Sequence, residues 1–366
     1  MRHLFQSMGK NILERTCIVL LACNDYESTQ LTVANLLART PPEIPIYFLP
    51  NSITDNFDAE RVKEIGQVYS KLFPGRFIYV HWVKPSFPYQ AIGDLLYSKQ
   101  LSNFDYICKI DDDVFPVTDD WMENLANCFV CHDTENLGYV TGLINNNPWG
   151  FAEIVEIMGL EDEYRALVPE YTISGKNIKG YMQEEKIARP QIGRGGFGTV
   201  WQFPHLARWA HRKTTLNPEF FIEKTKGLDE KEINNQLRYS IGCMFFRKDE
   251  WAKVYNGSKT DEKMWHIYCQ SNNKKNFSAR NVPMVHLFFY NQRLHNKSIL
   301  DEVYAVYRNF VGEKLTLLWD NTPACKFSFM EERIRELEAK KYRGAKRKTS
   351  VRKFKNIIRY RFLRGW

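Results

Sequence analysis

Hydrophobic and polar positions follow two different periods along the first third of the chain. Short apolar runs at Thr16–Cys23, Ile44–Leu49, Phe77–Val80 and Tyr106–Ile110 read as strands. Between them, Ser28–Arg39, Asp58–Leu72 and Ala91–Gln100 repeat their apolar residues at helical spacing. Strands separated by helices predict a parallel, doubly wound sheet, because a parallel pair needs a crossover long enough to hold a helix. Such sheets bind ligands beyond the carboxyl ends of their strands. Asn24-Asp25, Asn51-Ser52 and Asp111-Asp112-Asp113 each follow a predicted strand, so all three groups are expected to line one crevice.

The pattern breaks between about 160 and 217, where charges, aromatics and glycines mix without a sustained period. This stretch reads as an inserted lid. Regular patterning resumes at Tyr239–Arg247, whose core Ile241–Phe246 looks like a buried strand, and continues with a helix at Lys263–Gln270, a strand at Val282–Phe288 and a helix at Leu300–Phe310. The expected organisation is an α/β body over 1–325, made of a first half at 16–125, the insertion at 160–217 and a second half at 239–290, followed by a helical tail at 326–366.

Charge separates the body from the tail. The net charge of +8 conceals twelve Lys or Arg residues in 340–366 with no acid after Glu338, which leaves the first 339 residues near −4. Within that tail Val351, Phe354, Ile358 and Phe362 fall at helical spacing among the basic residues, predicting an amphipathic helix that lies on an anionic membrane surface. A nucleic-acid arm would not need the apolar stripe, so no nucleic-acid partner is expected. The longest apolar stretch near the start, Cys17–Cys23, is too short for a signal-peptide core or a membrane span. Eight scattered cysteines, several inside apolar runs, suit buried free thiols. The expectation is a cytoplasmic protein, peripheral at the inner face of a membrane, in which the Asn-x-Ser sites at Asn256, Asn276 and Asn296 are chance matches.

The candidate chemistry centres on Asp111, Asp112 and Asp113. Three adjacent carboxylates at the end of an apolar strand repel one another and call for a compensating cation. Mn²⁺ or Mg²⁺ would serve, since both take oxygen ligands and Mg²⁺ is typically held by one or two carboxylates plus substrate phosphates. The plainer alternative is a solvated turn ahead of a helix starting near Asp119-Asp120-Trp121.

The run Tyr106–Phe115 resembles the DxD strand end of GT-A glycosyltransferases, and Lys109–Phe115 is particularly similar to the Lys-hydrophobic-Asp-Asp-Asp-Val-Phe of the β-1,3-galactosyltransferase group. Upstream, Asn24-Asp25 and the Asn51–Asp55 loop resemble family-2 inverting enzymes, with Pro50 where that loop usually carries Asp. Downstream, the strand ending at Arg247, the acidic pair Asp261-Glu262 and His286, 25 residues beyond Asp261, follow in the order of that family. The resemblance covers about 16–125 and 239–290. It implies a GT-A, Rossmann-like, mostly parallel sheet and transfer of a sugar, with inversion, from a nucleoside-diphosphate sugar, UDP-linked by family likeness, to a glycan or lipid-linked acceptor. It further implies that Asn24, Asp25, Asn51, Asp55, Asp111 and Asp112 contact the nucleotide, that Asp113 and His286 hold the metal or diphosphate, and that Asp261, beside Glu262, acts as base.

Each assignment has a plainer alternative. His286 can be a core histidine, and Asp261 and Glu262 can be a helix cap and first-turn acid. A rival base group is Asp229-Glu230-Lys231-Glu232. A nucleotidyl- or phosphotransferase, or a non-catalytic sugar- or membrane-binding module, would fit the same sheet. Gly193–Val200 matches a kinase glycine loop, yet no strand lysine, His-Arg-Asp or Asp-Phe-Gly follows in order. Cys128–His132 spells a haem-attachment pattern but continues a helical segment, Trp121–Phe129.

Overall fold

Every position of the first strand, β1 (Thr16–Ala22), is buried, as an unbroken apolar run requires when both faces of a sheet are covered. β2 (Ile46–Pro50) and β4 (Tyr106–Asp111) flank it, both parallel to it. β3 (Phe77–Tyr79) joins parallel to the outer side of β2. The crossovers are helices α1 (Tyr26–Arg39), α2 (Phe57–Leu72) and α3 (Pro88–Leu96). These elements come from a computed structural model that describes residues 9, 11–23, 25–52, 57–132, 135–145, 148–167, 204–233, 242–254, 261–287 and 293–310. Asn24, Asp55, the 193–200 glycine stretch and the 326–366 tail lie outside the described residues.

The next strands are β5 (Val114–Pro116), β6 (Leu137–Ile144), β7 (Lys231–Ile233), β8 (Cys243–Arg247) and β9 (Lys275–His286). They complete one nine-stranded sheet of order β3-β2-β1-β4-β8-β6-β9-β5, with β7 also paired to β9. β8 enters antiparallel between β4 and β6, and β6 pairs parallel with β9. β1, β2, β3, β4, β6 and β9 therefore point one way, and β5, β7 and β8 run against them. The architecture is a mixed α/β fold with a mostly parallel central sheet.

The remaining helices are α4 (Trp121–Cys131), α5 (Pro148–Met158), α6 (Glu161–Leu167), α7 (Pro204–Lys213), α8 (Pro218–Thr225), α9 (Lys248–Val254), α10 (Asp261–Ser271) and α11 (Arg293–Phe310). Aromatic packing fixes several of them. Trp251 of α9 stacks on Tyr89 of α3 at 4.2 Å and lies 5.6 Å from Phe246 of β8, while Trp265 of α10 meets Phe246 at 5.3 Å and Tyr139 of β6 at 5.8 Å. α11 covers β5 through Tyr307, whose ring meets Phe115 edge-on at 5.0 Å. All seven described cysteines are free, five of them buried. No helix among the described residues is long and apolar enough to cross a membrane.

Three elements depart from the sequence pattern for identifiable reasons. α3 begins before the expected Ala91 because Pro88 takes its first turn, where a missing amide costs nothing. It stops at Leu96, and the Ser98 hydroxyl donates to the Leu95 carbonyl at 2.7 Å. β9 starts at Lys275 rather than Val282, because Asn276 and Ser278 are polar yet buried and so mask the strand; Asn276 spends its Oδ1 on the Tyr139 amide at 3.1 Å. Within the seemingly aperiodic 160–217 stretch, α7 buries His211, a polar residue on its inner face.

α2 approaches the sheet closely at Gly66, where a methyl group would overlap the rings of Tyr79 and Phe48. Alanine would gain about 1 kcal/mol of helix propensity, whereas overpacking costs about 1–3 kcal/mol. Gly66→Ala should therefore lose about 1 kcal/mol net, read as a lower denaturant midpoint at unchanged slope. A midpoint at or above wild type would mean that the rings yield freely.

Candidate functional site at the carboxyl edge of the sheet

Because β1, β2, β4, β6 and β9 share one direction, their carboxyl ends fall on one edge of the sheet. The residues that follow them are Cys23, Asn51, Asp112, Asn145 and Leu287. Asp112 and Asp113 form the tight turn from β4 into β5, and β5 pairs antiparallel with the last residues of β9, setting Val114 opposite His286. The Leu287 amide donates to the Asp113 carbonyl at 2.8 Å. This short ladder brings the third aspartate to the histidine, residues distant in sequence.

Each aspartate has its own partner. Lys109 lies two residues before Asp111 on the same face of β4, is fully buried, and places its ammonium 2.5 Å from the Asp111 carboxylate. Asp112 accepts the Cys23 amide at 2.7 Å and the Thr29 hydroxyl at 3.2 Å. Desolvation first, then the charges of Asp113, Asp25 and Asp111, hold the Asp112 carboxyl well above the usual carboxylate range, against the pull of the Cys23 amide. Asp113 meets His286, with Oδ2 3.2 Å from Nε2. The three carboxylates are thus partnered by a lysine, by an amide and a hydroxyl, and by a histidine. At the same edge, desolvation, followed by the charges of Asp112 and Asp111, pushes the Cys23 thiol up to about 11 and so disfavours its thiolate.

His286 is held from behind. Its amide donates to Asn145 Oδ1 at 2.8 Å, and Asn145 Nδ2 donates to the hydroxyls of Thr214 at 2.8 Å and Thr215 at 2.9 Å. His211 Nδ1 lies 2.8 Å from the Thr215 hydroxyl. Burial first and the neighbouring His286 second drive His211 down to about 3, outweighing a favourable contact with the Leu287 main chain, so His211 is a neutral ring at physiological pH.

The other expected site residues are placed as follows. Asp25 is buried and caps α1, its side chain accepting the Ser28 amide at 3.2 Å. Asn51 is buried, and its Oδ1 accepts the Ser86 amide at 3.0 Å, tying the loop before α3 to the end of β2. Asp261 and Glu262 open α10, but their side chains lie outside the described residues. The rival acidic group sits elsewhere. Glu232 pairs opposite Phe277, and Asp229 accepts Arg280 Nε through its carbonyl at 2.8 Å. Both contacts fall beside β9 residues 276–280, at or before the register shift that separates Ala279 from Pro283, whereas His286 closes β9 beyond it.

Sequence reasoning missed Thr29, Asn145, His211, Thr214 and Thr215, and did not give Lys109 a role. Lys109 carried a usable signal: a lysine inside an apolar strand, two residues before an aspartate, must face the same way as that aspartate. Asn145 and the threonines had none, being ordinary polar residues whose meeting depends on the register of β6 with β9.

A divalent cation fits here in one respect. A carboxylate oxygen and an imidazole nitrogen 3.2 Å apart have nearly the spacing of two neighbouring ligands around an octahedral ion, about 3 Å for bonds of about 2.1 Å. Among the described residues no three His, Cys, Asp or Glu side chains form a cluster able to hold a metal. Asp113 and His286 would therefore supply two ligands, leaving the other positions to phosphate oxygens and water. No protein-family model matches the chain, and no curated protein matches it.

Proposed function

We propose that the protein is a metal-dependent glycosyltransferase of the GT-A type, which transfers a sugar with inversion from a nucleoside-diphosphate sugar, by resemblance a UDP-sugar, to a glycan or lipid-linked acceptor. The observation that carries this reading is the Asp113–His286 pair at the carboxyl edge of a mostly parallel sheet, beside two more aspartates at the end of β4. Ligands of open α/β sheets bind at that edge, and two ligands with room for phosphate oxygens suit a nucleotide diphosphate better than a closed structural metal site.

In this scheme Asp111, held by Lys109, accepts from the nucleotide ribose, and Asp113 with His286 would hold Mn²⁺ or Mg²⁺. When bound, the cation supplies Lewis-acid neutralisation of the leaving diphosphate. Asp261 takes the proton of the acceptor hydroxyl as the sugar leaves the phosphate. Asn24, Asp25, Asn51, Asp55 and Asp112 are assigned to the nucleotide side. Residues 340–366 attach the enzyme to an anionic leaflet, where a lipid-linked acceptor would reside.

A panel of nucleotide sugars incubated with Mn²⁺ and read by release of nucleoside diphosphate tests the reaction. Release of pyrophosphate would indicate a nucleotidyltransferase, and no release on long incubation with any donor would leave only a binding role. Asp261→Asn should lower kcat by about 10²–10⁴, the range for loss of a general base, with donor affinity unchanged. Asp229→Asn, in the rival acidic group, should transfer at the wild-type rate. The reverse pattern would overturn the base assignment.

A further inference from the structure

Asn145 follows β6 and is almost fully buried, and its side chain joins three parts of the fold. Its Oδ1 accepts the His286 amide from the end of β9, while its Nδ2 donates to Thr214 and Thr215, which follow α7. Its own amide donates to the Met284 carbonyl at 3.1 Å, so main chain and side chain together bind it to β9. The hydrogen-bond directions are mutually consistent. The Thr214 hydroxyl donates to the Ala210 carbonyl at 2.7 Å. The Thr215 hydroxyl, accepting from Asn145, can give its own proton to Nδ1 of the neutral His211 2.8 Å away. His211 in turn contacts the main chain of Leu287, the residue whose amide bonds Asp113.

A buried hydrogen-bond network favours a single arrangement, and a buried carboxamide that loses its partners costs more than the bond it made. This network encloses the main chain at residues 286 and 287, the point at which the imidazole must be aimed at Asp113. We propose that Asn145, anchored by Thr214 and Thr215 at the close of the inserted stretch, is a positioning residue that holds His286 in register with Asp113. It touches no reacting atom. Its consequence for metal binding rests on the glycosyltransferase reading; its effect on the end of β9 does not.

The test uses full-length protein with Asn145→Ala, the near-isosteric Thr215→Val and the conservative Thr215→Ser. In metal-free protein, hydrogen exchange at the His286 and Leu287 amides should accelerate about tenfold in Asn145→Ala and less in Thr215→Val, while amides of β1 keep wild-type protection. Calorimetric binding of Mn²⁺ in the presence of UDP should weaken by 10–100-fold in Asn145→Ala, the usual cost of losing a group that orients a metal ligand. Thr215→Ser should restore both values toward wild type. A purely structural role would lower the melting temperature of Asn145→Ala yet leave the Mn²⁺ dissociation constant, measured well below that temperature, unchanged, and this result would overturn the proposal. If Asn145→Ala does not fold, Thr215→Val decides: wild-type protection at 286–287 overturns the proposal, and selective loss supports it. Wild-type protein that binds neither Mn²⁺ nor UDP would sink the glycosyltransferase reading, and the exchange measurement would still decide the role of Asn145.

Discussion

Asp113→Ala is expected to abolish detectable sugar transfer and to remove the strengthening of donor binding by Mn²⁺, with the protein still folded. Lewis-acid stabilisation of a leaving diphosphate is worth several kcal/mol, and each 1.36 kcal/mol is tenfold in rate, so the loss should exceed about a hundredfold. The stability change is small because two effects oppose each other. The variant forfeits the contact of Asp113 with His286, worth about 1 kcal/mol for a hydrogen bond of this kind. It also removes the charge of Asp113, the largest electrostatic contribution raising the neighbouring Asp112 carboxyl, and so relieves a repulsion already built into the fold. Calorimetric titration of a UDP-sugar with and without Mn²⁺, beside a thermal melt, tests both halves. Donor binding that still tightens normally with Mn²⁺ would remove Asp113 from the metal site. A collapse of the melting temperature would show that the Asp113–His286 contact is chiefly structural.

The parallel block was legible because β1 and β2 are almost wholly apolar and β4 is interrupted only by Lys109 before its terminal Asp111, and a strand covered on both faces has few polar positions to blur its pattern. The edge they share follows from direction alone, so Asp111–Asp113 and Asp25 could be placed there before any coordinates. What stayed hidden depends on pairing between distant segments. His286 reaches Asp113 only because β5, three residues long, docks on the end of β9, and no local periodicity announces so short a strand. Asn276, Ser278 and His211 are polar residues in buried places. Asn276 is tolerated through the Tyr139 amide of another strand and His211 by remaining neutral, and all three break the pattern that sequence reasoning uses. The partners of the triplet were overlooked in a different way: the charges of three adjacent carboxylates say nothing of the lysine, the amide and the histidine that the fold brings to them.

Lys109 and Asp111 should respond to mutation very unequally, although they form one ion pair. The ammonium is fully buried, whereas the carboxylate side chain is 30% exposed. Asp111→Asn takes the charged partner from a lysine that cannot reach water, and breaking a buried pair in this way costs about 3–5 kcal/mol. Lys109→Met instead removes the buried charge, replaces it with an apolar side chain of similar length, and leaves a carboxylate that solvent can partly hydrate, so its cost should be about 1–2 kcal/mol. The double variant should then be more stable than Asp111→Asn alone, a non-additivity that two independent sites would not show. Urea unfolding of the four proteins measures this directly. Equal single losses that simply add would mean that the pair contributes nothing as a pair. The same variants separate two reasons for lost activity. Asp111→Asn removes a proposed ribose contact and stability together, whereas Lys109→Met keeps the carboxylate and loses only what holds it. Lys109→Met should therefore bind donor more weakly while remaining folded, and wild-type donor affinity in that variant would show that Asp111 needs no lysine to be placed.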